Sequence, residues 1–160
     1  MSFSLIAAIG KNNELGKKGG LCFNIPGDLK FFKETTIGFP IFMGFNTWKS
    51  LPKKLPGREH FVLTSNPEDL PEDVHAVTDL EKFVKEFQDA EEKIFVIGGG
   101  SIYRQMLPFC KELFLTEVQA EDKEADTFFP EIKESEWEKK LIGKGEDNGI
   151  KYDHILYIRK

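Results

Sequence analysis

The segment KIFVIGGGSIYRQML, residues 93–107, predicts a buried strand, a glycine-rich turn and a helix in direct succession. Its apolar run ends at Ile97, three glycines follow, and helical spacing begins near Ser101. Glycines allow another group to approach the backbone closely, and the start of a helix presents free N–H groups to an anion. Tyr103 occupies the position of the third glycine in the pattern G-x-G-x-x-G, so the usual Rossmann fingerprint is absent. A tight strand-to-helix turn without a ligand remains the alternative.

Strands and helices alternate around this segment until about residue 118, and strands predominate beyond it. The apolar run at residues 3–9 predicts a buried strand, and the polar residues 11–20 predict a long mobile loop. The tail is predicted to form a hairpin around GEDNG, residues 145–149. These patterns predict an α/β fold with a mostly parallel sheet, helices on both faces and an antiparallel hairpin at one edge. Further strands are predicted at residues 39–44, 60–65, 73–77 and 112–118. Further helices are predicted at residues 24–36 and around Thr47 and Trp48. Another helix is predicted to begin at a capping box formed by Thr78 and Glu81.

The composition is that of one globular domain, which we expect to span residues 1–160. Apolar residues make up 40% and charged residues 31%, and the net charge of −5 argues against nucleic acid as the main partner. Cys22 and Cys110 are too few for a disulfide framework, which indicates reduced thiols. The first residues lack the basic region of a signal peptide, and no run approaches about 20 apolar residues. We therefore expect a cytoplasmic protein that does not bind membranes.

The segment CFNIPGDLKFFK, residues 22–33, places a carboxylate where a helix should bury apolar side chains. Asn24 is a good N-cap for this helix. Leu29 and Phe32 form an apolar stripe at helical spacing, and Asp28 lies on that stripe. A carboxylate in the first turn also favours the helix dipole, which is the purely structural alternative. A half-buried aspartate should have a raised pKa and can donate a proton or anchor a ligand, so we favour a functional role for Asp28.

Three further features are weaker when each is taken alone. MGFNTW, residues 43–48, is a second strand-to-helix junction, and two such junctions could hold a diphosphate between two helix starts. Arg58 stands in a chain with few arginines, and arginine binds a carboxylate bidentately where lysine cannot. Ordinary turns and a surface arginine are the alternatives. The histidines have no metal-ligand spacing, so we expect no metal site and only core or surface roles for His60, His75 and His154.

Seven motifs in register resemble dihydrofolate reductase over essentially the whole chain: SLIAAIG, NIPGDLKFFK, MGFNTW, LPGR, VIGGGSIY, LFLT and DTFFP. The resemblance implies eight strands, four helices and transfer of hydride from NADPH to the pterin of dihydrofolate. It assigns Asp28 to the amino and ring nitrogens of the pterin and to assistance in its protonation. It assigns Thr116 to a hydrogen bond that supports Asp28. It also implies that residues 10–21 form a lid that excludes water, and we expect a monomer.

The resemblance assigns roles to particular side chains. Arg58 would bind the α-carboxylate of the substrate's glutamate, Leu29 and Phe32 would contact its rings, and Tyr103 would lie beside the nicotinamide. The implied catalytic set is Asp28, Phe23, Tyr103 and Thr116. The implied substrate-binding set is Ile6, Ala8, Leu29, Phe32, Leu51, Leu55, Arg58 and Ile97. The implied cofactor-binding set is Ala8, Ile9, Leu15, Gly16, Gly44, Phe45, Asn46, Thr47, Leu63, Thr64, Ser65, Gly98, Gly99, Gly100, Ser101, Ile102, Tyr103 and Thr127.

The sequence departs from the family pattern at the site. Phe23 and Cys22 stand where the family usually has Trp and Pro, and phenylalanine lacks the indole N–H that can hold water near the pterin. We therefore expect water near the pterin to be held differently. The sequence also predicts weaker recognition of the cofactor's 2′-phosphate, with NADPH still preferred. Positive charge is missing at four positions where relatives typically carry it: Phe45, Asn46, Asn66 and Ser101.

Two other functions fit parts of the sequence. A flavodoxin-like FMN carrier would share the alternation of strands and helices. Residues 10–20 nevertheless lack the hydroxyl-rich phosphate loop that such a carrier needs after its first strand. A non-catalytic nucleotide-binding module would keep the glycines of residues 98–100 but would not need Asp28 on an apolar face.

Overall fold

The computed structural model describes residues 3–160, which contain four α-helices and eleven strands. The helices are α1 (Pro26–Thr36), α2 (Phe45–Ser50), α3 (Leu80–Phe87) and α4 (Gly100–Met106). The first six strands are β1 (Phe3–Ile9), β2 (Glu14–Lys17), β3 (Gly20–Leu21), β4 (Ile41–Gly44), β5 (His60–Leu63) and β6 (His75–Val77). The others are β7 (Ile94–Gly98), β8 (Glu112–Val118), β9 (Thr127–Phe128), β10 (Trp137–Asp147) and β11 (Ile150–Arg159). Short 3₁₀ helices lie at Pro67–Asp69 and Leu107–Phe109.

Eight of the strands form one sheet in the order β10-β11-β8-β1-β7-β4-β5-β6. All neighbours from β8 to β6 are parallel, and β11 runs antiparallel to both β8 and β10. The predicted α/β fold is therefore confirmed, including its mostly parallel sheet, its four helices and its antiparallel C-terminal hairpin. The strand predicted at residues 112–118 matches β8, because its apolar run is bounded clearly on both sides.

The central strand β1 has a hydrophobic core on each face. Phe3 and Leu5 pack into the larger core together with apolar side chains of α3 and α4. Ile6 packs into a smaller core that side chains of α1 and α2 cover. Strands buried on both faces have continuous apolar runs, which is why residues 3–9 are recognisable in the sequence.

Helix α1 begins at Pro26, and the prediction that Asn24 is its N-cap is wrong. The residue that precedes the helix offers no side-chain hydrogen bond to it. The carboxylate of Asp147, at the end of β10, accepts a hydrogen bond of 2.8 Å from the N–H of Gly27 instead. A Cβ on Gly27 would overlap the hydroxyl of Tyr152, so the hairpin of β10 and β11 lies directly against this turn. A distant side chain therefore supplies the cap that the local sequence was predicted to supply.

The loop predicted at residues 11–20 contains the strand β2 and the start of β3. Strand β2 lies between β3 and β9 in a three-stranded antiparallel sheet. The buried carboxylate of Glu14 accepts hydrogen bonds of 2.7 Å from the N–H groups of Asn12 and Asp122. Burial raises the pKa of Glu14, but these backbone donors hold it below its usual value overall. The sequence did not reveal β2 because ELGK is short, polar and stabilised by residues far along the chain.

Other predicted boundaries differ by about two residues. The strands predicted at residues 39–44, 60–65 and 73–77 are the shorter strands β4, β5 and β6. Helix α3 is capped by Asp79, whose carboxylate accepts a hydrogen bond of 3.2 Å from the N–H of Lys82, and not by the predicted capping box. Within residues 3–160, no helix is both long enough and apolar enough to cross a membrane.

Replacing Asp147 with alanine should lower the free energy of unfolding by about 1–2 kcal/mol. The N–H of Gly27 and the hydroxyl of Tyr152 both lose their acceptor in this variant. Urea unfolding followed by circular dichroism measures the loss. Glu146→Ala changes the exposed neighbouring position and is the matched control. Equal losses in the two variants would show that the hairpin stabilises α1 without this cap.

Candidate active site

The carboxyl ends of β8, β1, β7 and β4 lie side by side because these strands are parallel neighbours. The register places Ala8 opposite Thr116 and Met43 opposite Gly98. Ligands of open α/β sheets bind outside the carboxyl ends of the strands. The predicted site residues of all four strands therefore lie at one edge of the sheet.

Asp28 lies in the first turn of α1 and is half-buried. The hydroxyl of Thr116 donates a hydrogen bond of 2.5 Å to Asp28 Oδ1, which is the contact that the resemblance implied. Burial raises the pKa of the Asp28 carboxyl above its usual value, although the hydrogen bond and His154 oppose the rise. The predicted raised pKa is confirmed. This carboxyl group therefore takes up a proton more readily than a solvated aspartate does.

His154 lies next to the same hydroxyl, although the sequence predicts only a core or surface role for it. Its Nδ1 is 2.8 Å from Thr116 Oγ1. Its ring stacks on Phe31 of α1, with the ring centroids 3.8 Å apart and the planes at 9°. The antiparallel register of β8 and β11 sets His154 opposite Thr116. That register is not visible in the sequence, which is why this neighbour of the site was missed.

The apolar stripe of α1 is not buried along its length. Leu29 is 50% exposed, and Thr36 is the buried residue of the helix. An exposed apolar surface beside a half-buried carboxyl suits a flat ligand with apolar faces and a polar edge. Other predicted substrate-binding residues pack, partly buried, on the smaller core that contains Ile6: Phe32, Leu51, Leu55 and Ile97.

Arg58 lies beside the C-terminal end of α1. Its guanidinium donates hydrogen bonds to the Thr36 hydroxyl at 3.0 Å and to the Pro56 carbonyl at 3.1 Å. The buried His60 ring accepts a bond from the N–H of Leu55 at Nε2 and meets the Arg58 carbonyl at Nδ1, both at 3.0 Å. Burial lowers the pKa of His60 and so favours the neutral ring, which can donate and accept at once. His60 is thus a core residue that fixes the backbone around Arg58.

The two glycine-bearing strand exits contact each other and β9. A Cβ on Gly99 would lie 3.4 Å from Thr47 Oγ1, and one on Gly100 would lie 2.5 Å from Thr127 Cγ2. Gly98 has a φ of +122°, which other residues rarely adopt. Close packing and backbone conformation therefore explain why glycine occupies these positions, and a bound ligand is not needed for that explanation. The predicted cofactor-binding residues that lie together here are Leu15, Gly16, Gly44, Thr47, Gly98, Gly99, Gly100, Ile102 and Thr127.

A surface cavity beside α2 carries hydroxyl and amide groups but, among the described residues, no cationic side chain in its lining. Lys49 follows Phe45 by one helical turn, and its ammonium lies 5.8 Å from the centroid of the Phe45 ring. The spacing of four residues on a helix could have revealed this cation. Asn46 is exposed on the same helix. The cavity is lined by Phe45, Leu63, Thr64, Ser65, Asn66 and Thr78.

Two members of the predicted catalytic set lie in packed surroundings. The buried Tyr103 donates a hydrogen bond of 2.7 Å to the carbonyl of Ile6, and burial raises the pKa of its hydroxyl. Phe23 packs against the small cluster that includes Ile25 and Tyr152. Phe23 has no polar group, and the Tyr103 hydroxyl already donates its proton to the backbone, so neither side chain offers a free proton to the site.

Two further predicted cofactor-binding residues have different surroundings, although Ser101 directly follows the glycines of residues 98–100. Ile9 is buried in the larger core, and Ser101 is exposed on α4. Ala8, which is predicted for both ligands, is half-buried on β1 opposite Thr116. The structure therefore does not bring the whole predicted set to one surface.

A family model described as dihydrofolate reductase matches residues 2–159. The chain is 35% identical over 162 residues to the dihydrofolate reductase of Bacillus subtilis (strain 168), with 98% of this chain and 94% of the relative covered. It is 34% identical over 163 residues to the dihydrofolate reductase of Neisseria gonorrhoeae, with 100% and 99% covered. A solved structure of dihydrofolate reductase from Enterococcus faecalis, complexed with NADP(H) and RAB-propyl, matches with a TM-score of 0.88. That match is 32% identical and covers 99% of this chain and 96% of the other.

Asp28→Asn should be more stable than the wild type at pH 7. The folded-state pKa of Asp28 lies above its unfolded value, so between the two values the folded state binds more protons than the unfolded state. The stability that depends on Asp28 is therefore fully present below the unfolded pKa, about pH 4, and is lost as the pH rises through the folded pKa.

Urea unfolding midpoints at pH 7 and at acid pH measure this difference, which should shrink as the pH falls. Glu34→Gln removes an exposed carboxylate from the same helix and should show no such trend. An Asp28→Asn variant that is less stable than the wild type at pH 7 would contradict the expected cost of burying this charge.

Proposed function

This chain belongs to the dihydrofolate reductase family, and we propose that it reduces 7,8-dihydrofolate to tetrahydrofolate with NADPH. The observation that carries the proposal is the half-buried Asp28, whose pKa is raised by burial and whose Oδ1 is held by Thr116. A flavodoxin-like carrier and a non-catalytic nucleotide-binding module are not favoured. The family match extends over residues 2–159, and neither alternative needs a carboxyl group beside an exposed apolar stripe.

Asp28 is proposed to bind the polar edge of the pterin and to assist its protonation. Its Oδ1 accepts the bond from Thr116, so we assign Oδ2 to the amino and ring nitrogens of the pterin. A carboxyl whose pKa lies closer to neutrality can hold a proton where a solvated aspartate cannot, and can still ionise. Thr116 therefore sets the orientation of the group, and burial sets its readiness to take up a proton.

Helix α1 is proposed to set the distance between the two charged ends of the substrate. Asp28 and Thr36 are two helical turns apart, which corresponds to about 12 Å along the axis. Arg58 contacts Thr36, so its guanidinium lies at the far end of this span. We assign Arg58 to the α-carboxylate of the glutamate. The rings of the substrate are assigned to the apolar side chains in between: Leu29, Phe32, Leu51 and Leu55.

The strand exits fit a nicotinamide dinucleotide in shape and in donor chemistry. The approach of Gly99 to Thr47 brings the starts of α2 and α4 together, and these starts present backbone N–H groups suited to a diphosphate. The hydroxyls of Thr64 and Ser65 in the cavity beside α2 are assigned to the adenosine end. When bound, NADPH supplies the hydride, and the chain positions the two ligands and excludes water.

Residues 10–21 are proposed to act as the lid over the reacting rings. Glu14 ties this segment to the backbone of Asp122, and the ammonium of Lys17 forms an ion pair with the Asp122 carboxylate at 2.7 Å. The N–H of Lys11 also donates to the carbonyl of Ala120, so the lid is held to residues 120–122 at three points. Such contacts favour the position in which water is excluded from the site.

We propose that the protein acts as a monomeric, single-domain enzyme in the cytoplasm, without nucleic acid or membrane partners. The net charge of −5 disfavours a polyanion, and dihydrofolate is the partner that family membership implies. Size-exclusion chromatography with light scattering measures the oligomeric state directly, and a stable dimer would contradict this part of the proposal.

The experiment that tests the function follows NADPH oxidation by absorbance, with and without dihydrofolate. We expect oxidation in the wild type only when dihydrofolate is present. Asp28→Asn should lose most activity at pH 7, because an amide cannot carry the charge that pairs with a protonated pterin. Glu34→Gln should keep wild-type turnover. A wild type without dihydrofolate-dependent oxidation would refute the function, and an active Asp28→Asn would refute the role of Asp28.

Arg58→Leu should raise the KM for dihydrofolate far more than it lowers kcat. A charged hydrogen-bonded pair remote from the reacting atoms contributes about 1.5–3 kcal/mol to binding. Steady-state kinetics with dihydrofolate and with a pterin substrate that lacks the glutamate tail measures the effect. The truncated substrate should be insensitive to the substitution. Equal losses with both substrates would assign Arg58 to structure alone, through its bonds to Thr36 and Pro56.

Phe45→Arg should improve the affinity for NADPH by about 1–3 kcal/mol with little effect on NADH. The cavity offers neutral donors, which bind a phosphate with about half the strength of charged ones, and the ammonium of Lys49 lies 5.8 Å from the centroid of its Phe45 wall. Lys49→Ala should therefore weaken NADPH binding selectively, whereas Lys53→Ala, in the exposed turn beyond α2, should not. Fluorescence titrations at two salt concentrations give the Kd values. Strong NADPH preference that neither substitution changes would place the recognition of the 2′-phosphate elsewhere.

A further inference from the structure

Three side chains from distant parts of the chain form a continuous hydrogen-bonded row: Asp28 on α1, Thr116 on β8 and His154 on β11. Thr116 Oγ1 lies 2.5 Å from Asp28 Oδ1 and 2.8 Å from His154 Nδ1. The two bonds in series hold the carboxylate oxygen and the imidazole nitrogen within about 5 Å of each other. A hydroxyl has one proton to donate, so its two neighbours cannot both accept from it at the same time.

The single proton of the hydroxyl couples the states of the two ends. When Asp28 is ionised, Thr116 donates to it and accepts a bond from the Nδ1–H of His154. When Asp28 is protonated, it can donate to Thr116, and the hydroxyl then donates to Nδ1 of a neutral ring that keeps its proton on Nε2. The protonation of the carboxyl therefore selects the tautomer of the imidazole.

We propose that His154 is a positioning residue that shares one proton with Asp28 through the hydroxyl of Thr116. This inference rests on the proposed function, because it assigns a partner to the carboxyl that is proposed to assist pterin protonation. In the transfer, the Nδ1–H bond of an imidazolium breaks as an O–H bond to Thr116 forms. The former O–H bond of Thr116 breaks as an O–H bond to Asp28 forms. Two protons each move by one step, and the net change is the transfer of one proton from the ring to the carboxylate, with no group oxidised or reduced.

The surroundings of His154 hold its ring in the row. Phe31 stacks on one face with the centroids 3.8 Å apart, and Tyr152 meets the ring at 60° with the centroids 5.2 Å apart. Strand β10 presents Gly143 to the ring, and a Cβ there would lie 3.4 Å from His154 Cδ2. A ring that is packed on these sides keeps Nδ1 directed at Thr116.

The titratable groups that face His154 come from α1 and from its own strand. Burial, the largest effect, lowers the pKa of His154, while Asp28 and Asp153 oppose this fall. The nearby Tyr152 donates its hydroxyl to Asp147, and burial raises the pKa of that hydroxyl. From β8 and β10, Thr116 and Gly143 lie against the ring, and both are uncharged. Burial therefore moves the pKa of Asp28 up and that of His154 down, towards each other, which is the condition under which two groups share one proton.

The test measures protonation in the protein without substrate or cofactor. Carbon-13 NMR reports the Asp28 carboxyl and nitrogen-15 NMR reports the His154 ring as the pH is varied. In the wild type, both signals should follow the same apparent pKa values. His154→Gln keeps a hydrogen-bonding amide but cannot take up a proton, so the pKa of Asp28 should rise by about 1 unit when its cationic partner is lost. His75→Gln, an exposed histidine on β6, is the matched control and should leave Asp28 unchanged.

Thr116→Val distinguishes coupling through the Thr116 hydroxyl from a direct electrostatic effect of His154 on Asp28. The substitution removes the hydroxyl and keeps both Asp28 and His154. In this background, His154→Gln should move the pKa of Asp28 much less than it does in the wild type. The proposal is overturned if His154→Gln leaves the pKa of Asp28 unchanged. It is also overturned if His154→Gln shifts the pKa of Asp28 equally in the wild type and in the Thr116→Val background. If the glutamine variant fails to fold, His154→Phe keeps the stack on Phe31 and repeats the comparison.

The pH dependence of the reaction gives a second readout. The alkaline limb of the rate of hydride transfer should move to higher pH in His154→Gln, because Asp28 then keeps its proton longer. A purely structural role would lower the rate at every pH without moving the limb, which would overturn the proposal. The NMR titration needs no ligand, so an uncoupled His154 refutes this inference alone, and an inactive wild type refutes the proposed function alone.

Discussion

The hydrogen bond from Thr116 to Asp28 is the interaction on which the site depends. A half-buried carboxylate is costly unless its oxygens are hydrogen-bonded, and Thr116 can supply that bond only because β8 lies beside β1 near the start of α1. The start of the helix is fixed in turn by Asp147, which takes the place of a local cap. Besides the buried Thr36, α1 contributes Phe31 and Phe32, which are only partly buried against the smaller core. Polar contacts from later parts of the chain therefore add to this packing in holding the helix that carries the central carboxyl.

Parts of the fold could be predicted because their signals are local. The strand Phe3–Ile9 matches its apolar run, and Asp28 could be identified because one carboxylate interrupts a helical stripe. The features that could not be predicted depend on contacts between distant residues. Asp147 caps a helix 120 positions away, and His154 joins the site only through the register of two strands. The position of Lys49 beside Phe45 could have been predicted from their spacing of four residues on a helix. It was not predicted because Lys49 is not one of the positions in the family pattern.

The glycines of residues 98–100 illustrate how one motif can serve two purposes. The φ of Gly98 and the short approach of Thr127 to Gly100 explain two of these glycines without any ligand. The approach of Gly99 to Thr47 brings the starts of α2 and α4 together, which is the arrangement a dinucleotide would need. The glycines of this motif thus indicate close packing, and the function must be inferred from the residues that surround them. In this chain those neighbours are a half-buried carboxyl and a cavity with neutral walls.

The position of β11 between β8 and β10 has a consequence for biosynthesis. A ribosome adds about 5–20 residues per second, so β8 emerges well before the strand that covers its edge. Until β11 pairs, the nascent chain presents an unpaired, largely apolar strand edge to other molecules. The same late pairing delivers His154 to Thr116 and, through the adjoining turn, Asp147 to Gly27. Closure of the sheet and assembly of the site are therefore one late event, and the interval before it is when self-association competes most directly with folding.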